Sequence, residues 1–252
     1  MNLKIIEHNL VEKVDVGIRN SFSNFLNQSP EYRDKFLQSS YKTAFDGYSF
    51  IGQKDSLNQY ETDLLHSFVL SDLQSVDRFP KEFNSFLTNE WTELITAIKK
   101  IELQLIKEHN LPFEQLYEED VIGYMMSCNY YPKPAHCASF VENTTRLSAH
   151  SDVSLFTTFP FGVKTGLSYF NGDKKNEIKQ TNKMITFCGY YSQFMTNGEV
   201  NALNHQVELP ADLNSERYSF AIFSIPKPNC IFYRGKEKLN GTDYYKKYLS
   251  LF

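Results

Sequence analysis

The chain lacks a basic excess: 26 Lys and Arg stand against 30 Asp and Glu, for a formal net charge of -4. That removes the electrostatic footprint expected of a nucleic-acid binder or of a protein adhering to an anionic membrane. Paired cysteines are also lacking. Cys128, Cys137, Cys188 and Cys230 show no C-x-x-C or zinc-ribbon spacing and read as reduced thiols of a cytoplasmic protein. No uninterrupted apolar run approaches the roughly 20 residues a spanning helix needs. The opening MNLKIIEHNLVEK interleaves charges where a secretory signal would be apolar. With no repeat, low-complexity tract or Pro/Gly-rich linker, residues 1–252 read as one domain. On oligomeric state the sequence is silent, and a monomer is compatible with it.

Aromatic residues, by contrast, are abundant, with 21 Phe and 16 Tyr, which suits a β-rich core or an apolar pocket. Residues 1–120 read as mostly helical. Val14, Ile18, Phe22 and Phe25 form one stripe, and Ser29-Pro30 opens a short second helix. A longer helix is predicted over about Lys81 to His109, where Phe83, Leu87, Leu94, Ile98, Ile101 and Leu105 recur at three- and four-residue steps with Trp91 beside them. Phe45 to Phe50 breaks the period and reads as a loop or short strand. From Val121 to about residue 230, some seven short apolar runs alternate with turn signals, as in VIGYMMSCNYY, SLFTTFPFG, KMITFCGYYSQFM and RYSFAIFSIP. That spacing predicts a β-sandwich or barrel, here buttressed by the helices.

Within the β-rich half, His150-Ser-Asp152 places an imidazole and a carboxylate at i and i+2, which on a strand project to one face. Nitrogen beside a hard oxygen suits Fe(II) or Mn(II) better than a thiophilic metal. Alone the motif is weak, because about 0.3 chance matches are expected in such a chain. His205, in a separate predicted strand, offers a third ligand; a lone histidine there is more often a packed or surface residue. Arg217 and Ser219 share one face of the strand RYSFAIF. An arginine buried in a barrel requires an anion, and its forked geometry suits a carboxylate. A surface arginine at an edge strand is the commoner alternative. Tyr131, before a Pro-Lys-Pro turn, can direct a phenol into the barrel.

Taken together, NYYPKP (129–134), HSDVSLFTTF (150–159), TNGEVNALNHQV (196–207) and ERYSFAIFSIP (216–226) resemble the isopenicillin N synthase-like family of Fe(II)/2-oxoglutarate-dependent oxygenases, in the family's order and spacing. The resemblance covers residues 121–228 well and the first half loosely. It implies a mainly β (α+β) fold, a double-stranded β-helix or jelly roll with N-terminal flanking helices. It implies Fe(II) on His150, Asp152 and His205, and 2-oxoglutarate with its distal carboxylate on Arg217 and Ser219 and further contacts from Asn129 and Tyr131. Dioxygen is the implied oxidant, and a small molecule is hydroxylated, desaturated or cyclised through a ferryl intermediate. Gln206 stands where the family usually has arginine, and the tail after Pro228 is brief, leaving little to cover the mouth of the site. Candidate substrate contacts are Arg146, Tyr48, Phe50 and Phe223. Two other readings stay open: an oxidase of the isopenicillin N synthase type that uses no 2-oxoglutarate, and a non-catalytic ligand-binding barrel.

Overall fold

The computed structural model describes residues 5–8, 15–53, 62–137 and 145–251. In chain order the strands are β1 (Ile6–His8), β2 (Gly47–Ser49), β3 (His66–Ser71), β4 (Ile122–Tyr131), β5 (Thr145–His150), β6 (Phe156–Phe159), β7 (Leu167–Asn171), β8 (Lys174–Glu177), β9 (Met184–Cys188), β10 (His205–Glu208), β11 (Arg217–Pro226), β12 (Ile231–Arg234) and β13 (Glu237–Asn240). The helices are α1 (Val16–Leu26), α2 (Pro30–Arg33), α3 (Asn84–Asn89), α4 (Trp91–Glu108), α5 (Glu114–Glu118), α6 (Tyr190–Met195) and α7 (Gly241–Leu249). None is long and apolar enough to cross a membrane.

A seven-stranded antiparallel sheet, β1-β9-β6-β11-β4-β3-β2, faces a four-stranded one, β5-β10-β7-β8. This is the jelly-roll arrangement, with a cavity between the sheets lined by Met125, Asn129, Tyr131 and Ser219 on one side and Leu147, Leu167 and Val207 on the other. The period of two sorts the long strands cleanly. On β4, Met125, Ser127, Asn129 and Tyr131 line the cavity. Tyr124 turns the opposite way, to the buried Glu102 of α4.

Three local outcomes differ from the sequence reading. The first 120 residues contain β1 and β3 besides β2, the short strand the sequence allows between Phe45 and Phe50, and β2 and β3 extend the large sheet beside β4. The long predicted helix is broken at Glu90 (φ -117°) into α3 and α4, after Thr88 and Asn89, both weak helix formers. The break lets Phe86 and Trp91 meet edge to face with ring centroids 6.2 Å apart. The run KMITFCGYYSQFM leaves the sheet at Gly189 and becomes α6. On the predicted α1 stripe, Ile18, Phe22 and Phe25 are buried, while Val14 lies outside the described residues.

Glu102 has a thermodynamic consequence. It is fully buried and accepts hydrogen bonds from Tyr117 Oη (2.9 Å) and Tyr124 Oη (2.8 Å), and burial raises its pKa to about 7 from 4.5. A folded-state pKa above the unfolded one means that the folded state binds the proton more tightly. The resulting stability is complete below pH 4.5 and is lost as pH rises through about 7. At 1.36 kcal/mol per pH unit the span is worth about 3 kcal/mol. Glu102→Gln should therefore unfold at a higher temperature than the parent at pH 8 and show little advantage at pH 4.5, as followed by thermal denaturation. A parent Tm that does not fall between those pH values more than the variant's would contradict this.

Candidate metal and anion site

The fold makes His150 and His205 neighbours by register: the last residue of β5 pairs with the first of β10. Their rings are 4.5 Å apart, and Phe187 closes on His205 with ring centroids 5.2 Å apart. Asp152 is not on the strand, contrary to the i, i+2 reading. The chain leaves β5 at His150, and the carboxylate comes back toward the histidines from the turn that follows. The outcome is nonetheless convergence. One ligand atom from each of the three residues lies within 4.8 Å of the others, with Asp152 Oδ1 3.4 Å from His150 Nε2 and Oδ2 3.6 Å from His205 Nε2.

Each imidazole has its Nδ1 against a backbone carbonyl, His150 with Ser148 O at 2.7 Å and His205 with Leu203 O at 3.1 Å. With Nδ1–H donating there, Nε2 presents its lone pair inward, the arrangement that metal-bound histidines adopt. Thr157 Oγ1 donates to Asp152 Oδ2 at 2.7 Å and orients the carboxylate. Burial pushes Asp152 up, but the two histidines and Thr157 outweigh it and hold the carboxyl below its ordinary value. Burial likewise lowers His205 overall, whereas for His150 the hydrogen bond and charge of Asp152 overcome burial and raise it. Two imidazoles and one ionised carboxylate fit Fe(II), and their convergence leaves one side of the cluster for other ligands.

Residues 151–155 lie outside the strands, and although Leu155 N donates to Ser224 O of β11 at 2.7 Å, the carbonyls of the turn need donors from elsewhere. The first amides of α6 supply three of them: Tyr190 N to Asp152 O at 2.7 Å, Tyr191 N to Ser154 O at 2.9 Å and Gly189 N to Leu155 O at 3.0 Å. The approach is so close that a Cβ on Gly189 would overlap Ser154 and lie 3.0 Å from Asp152 O. Gly189→Ala should therefore displace the turn, costing about 1–3 kcal/mol of stability and weakening Fe(II) uptake about tenfold. Thermal unfolding and metal titration check both, and unaltered metal uptake would be contrary to expectation.

Toward the far end of β11, Arg217 pairs with Tyr131 and Ser219 with Asn129 across β4. Arg217 is buried (6% exposed) and donates from Nη1 to Thr165 O at 2.9 Å, while its buried Nε has no partner. Among the described residues no carboxylate pairs with it, and burial pushes its pKa down. An orphaned donor on a desolvated cation is the signature of a missing anion.

The sequence-predicted residues thus separate. Asn129, Tyr131, Ser219 and Phe223 line the cavity together with the three candidate ligands. Arg217 and Arg146 instead border a larger adjoining groove, although each guanidinium lies within 6.0 Å of the Tyr131 ring centre. Arg146 donates to the carbonyls of Pro132 and Ser215, stitching the ends of two strands together. Tyr48 does not line the cavity. Its ring packs 5.2 Å from Phe25 and its hydroxyl shares a hydrogen bond with His66 Nδ1 at 2.7 Å, on the helix side of the sheet. Phe50 follows it, ring centroids 6.1 Å apart. Gln206, where the family usually has arginine, donates to Glu208 at 2.9 Å. The cavity residues that the sequence-based set lacks include Phe45, Val153 and Tyr248. Tyr248 belongs to α7, so the segment after Pro228 does reach the site.

Residues 122–226 match the family model described as the 2OG-Fe(II) oxygenase superfamily. The chain is 26% identical over 244 residues to an alpha-ketoglutarate dependent kainoid synthase of Digenea simplex, covering 88% of this chain and 67% of that protein. Among solved structures it is similar in fold to JOX2 in complex with 2OG, Fe and JA, with TM-score 0.73 and 20% identity over 97% of this chain and 76% of that one. It is similar also to a full-length Neurospora crassa protein in complex with alpha-KG and thymine, with TM-score 0.73 and 16% identity over 98% and 87% of the two chains.

Proposed function

We propose that this chain, whose residues 122–226 match the 2OG-Fe(II) oxygenase superfamily, oxidises a small molecule with the metal on His150, Asp152 and His205 and the cosubstrate's distal carboxylate on Arg217 and Ser219. The observation that carries this reading is the convergence of two imidazole nitrogens and one carboxylate inside a jelly roll, within 4.8 Å of one another. Fe(II) and 2-oxoglutarate, when bound, supply oxidative decarboxylation coupled to hydrogen abstraction from the substrate.

The protein's own share is orientation. Ser148 and Leu203 carbonyls fix the tautomers of the histidines, and Thr157 fixes the carboxylate. Arg217 offers the charge that pins one end of a dicarboxylate, with Ser219 and Asn129 on the adjacent register positions. Phe45, Val69, Met125, Val153 and Phe223 make the remaining walls apolar, which keeps water from a reactive centre. A cavity set between two sheets suits a small molecule.

The rival without 2-oxoglutarate would give Arg217 a substrate carboxylate instead. The alpha-ketoglutarate dependence of the kainoid synthase relative and the family match favour the cosubstrate. A non-catalytic barrel is disfavoured because all three ligands and the orphaned arginine are retained. The test is succinate formation: Fe(II)-loaded protein should convert 2-oxoglutarate to succinate in air, faster when an accepted substrate is present. Succinate production equal with and without Fe(II) would refute the proposal.

A further inference from the structure

The three amides of α6 do not complete the support of the turn that carries Asp152. The carbonyls of Ser151 and Val153, on either side of it, accept hydrogen bonds from a different part of the chain. Tyr248 Oη donates to Ser151 O at 2.9 Å and Tyr244 Oη to Val153 O at 2.6 Å. Every carbonyl from 151 to 155 therefore has a donor, alternately from α7 and α6 at 151–154, with Ser192 Oγ joining Gly189 N on Leu155 O. Tyr244 and Tyr248 lie at i and i+4 on α7, on one face one turn apart. That face packs on α6 through Tyr190, Tyr191 and Phe194. Tyr248 also borders the cavity itself.

We propose that Tyr244 and Tyr248 are positioning residues for the metal site, and that α7 acts as a clamp holding the Asp152 carboxylate in register with His150 and His205. The inference rests on the metal reading given above. Two phenols bracketing one ligand restrict the rotation of the peptide units on both sides of its Cα, which sets the direction of the side chain. Removing either hydroxyl leaves a carbonyl without its donor and lets that peptide turn.

The helix supplies its own control. Tyr245 is as buried as its neighbours (4% exposed), sits on the same helix and also donates to a carbonyl, but to Pro226 rather than to the turn. Y244F, Y245F and Y248F each delete one hydroxyl. Thermal unfolding reports the cost to the fold, and anaerobic equilibrium dialysis against a competing chelator reports the Fe(II) Kd. The d–d spectrum of the Co(II)-substituted protein reports ligand geometry. Y244F and Y248F should each raise the Fe(II) Kd about tenfold, the lower end of what loss of support for a ligand costs, and should alter the Co(II) spectrum. Y245F should lower Tm comparably and change neither. If Y244F and Y248F shift the Kd no more than Y245F does, the clamp is refuted while the metal site stands. If the parent protein takes up no Fe(II), the metal reading and the clamp fall together.

Discussion

Asp152→Ala is expected to abolish stoichiometric Fe(II) binding, raising the Kd by more than about 100-fold, and with it all Fe(II)-dependent succinate formation. The carboxylate is the only anionic member of the cluster and bridges both histidines, at 3.4 and 3.6 Å. Without it, one buried and one half-buried imidazole would have to hold a dication with no charge compensation, in surroundings where an unbalanced charge costs several kcal/mol. Loss of a supporting partner outside the ligand shell typically costs 10–100-fold in affinity, and loss of a ligand costs more. Asp152→Asn preserves the shape and the hydrogen bond to Thr157 but removes the charge, so it separates charge from packing. It should bind Fe(II) nearly as poorly as the alanine variant. Metal analysis of protein reconstituted without oxygen makes the comparison, and near-parental iron content in either variant would contradict the assignment.

Arg217→Met is expected to weaken 2-oxoglutarate binding by about 30- to 100-fold while leaving the metal-free fold as stable as the parent, or more so. A hydrogen bond to a charged group is worth about 1.5–3 kcal/mol, and 1.4 kcal/mol is tenfold in affinity. The stability half of the prediction follows from what Arg217 lacks. Its Nε is buried with no acceptor and, among the described residues, no carboxylate offsets its charge, so in the absence of a ligand it costs the fold free energy. A methionine of similar length removes that cost, because replacing an uncompensated buried charge by a packed apolar group is neutral or stabilising. A residue kept for structure would show the opposite, a fall in Tm with little change in ligand affinity. Arg217→Lys retains charge without the planar fork and should fall between the two. Calorimetry with 2-oxoglutarate and a thermal scan without it read the two halves separately.

How far the site is legible in the sequence depends on how local each feature is. The β4 and β11 runs are ten residues long, so on each strand the strand period of two carries one inward placement to the next, Tyr131 to Asn129 and Ser219 to Phe223. His205 is legible only in combination, since its partnership with His150 is a register between strands 55 positions apart. The true course of H-x-D is not visible. That Asp152 leaves the strand depends on donors from α6 and α7, which no local pattern announces. Tyr48 falls on the opposite face from the one expected because β2 is three residues long, too short for its alternation to decide. Phe25 and Phe68, distant in sequence, settle it. Arg146 is a candidate substrate contact from the sequence; carbonyls at Pro132 and Ser215 take its Nη2, while its buried Nε, like that of Arg217, has no partner. The role of α7 has a readable signal: Asn240 caps the helix through Asp243 N, and Tyr244 and Tyr248 fall one turn apart.

The most direct test of the whole account is calorimetric titration of 2-oxoglutarate into the oxygen-free protein, with and without one equivalent of Fe(II), for the parent and for Asp152→Ala. The parent should show a single binding site that tightens markedly when Fe(II) is present, and the variant no Fe(II) effect. Binding that ignores both Fe(II) and Asp152, or no binding at all, would contradict it.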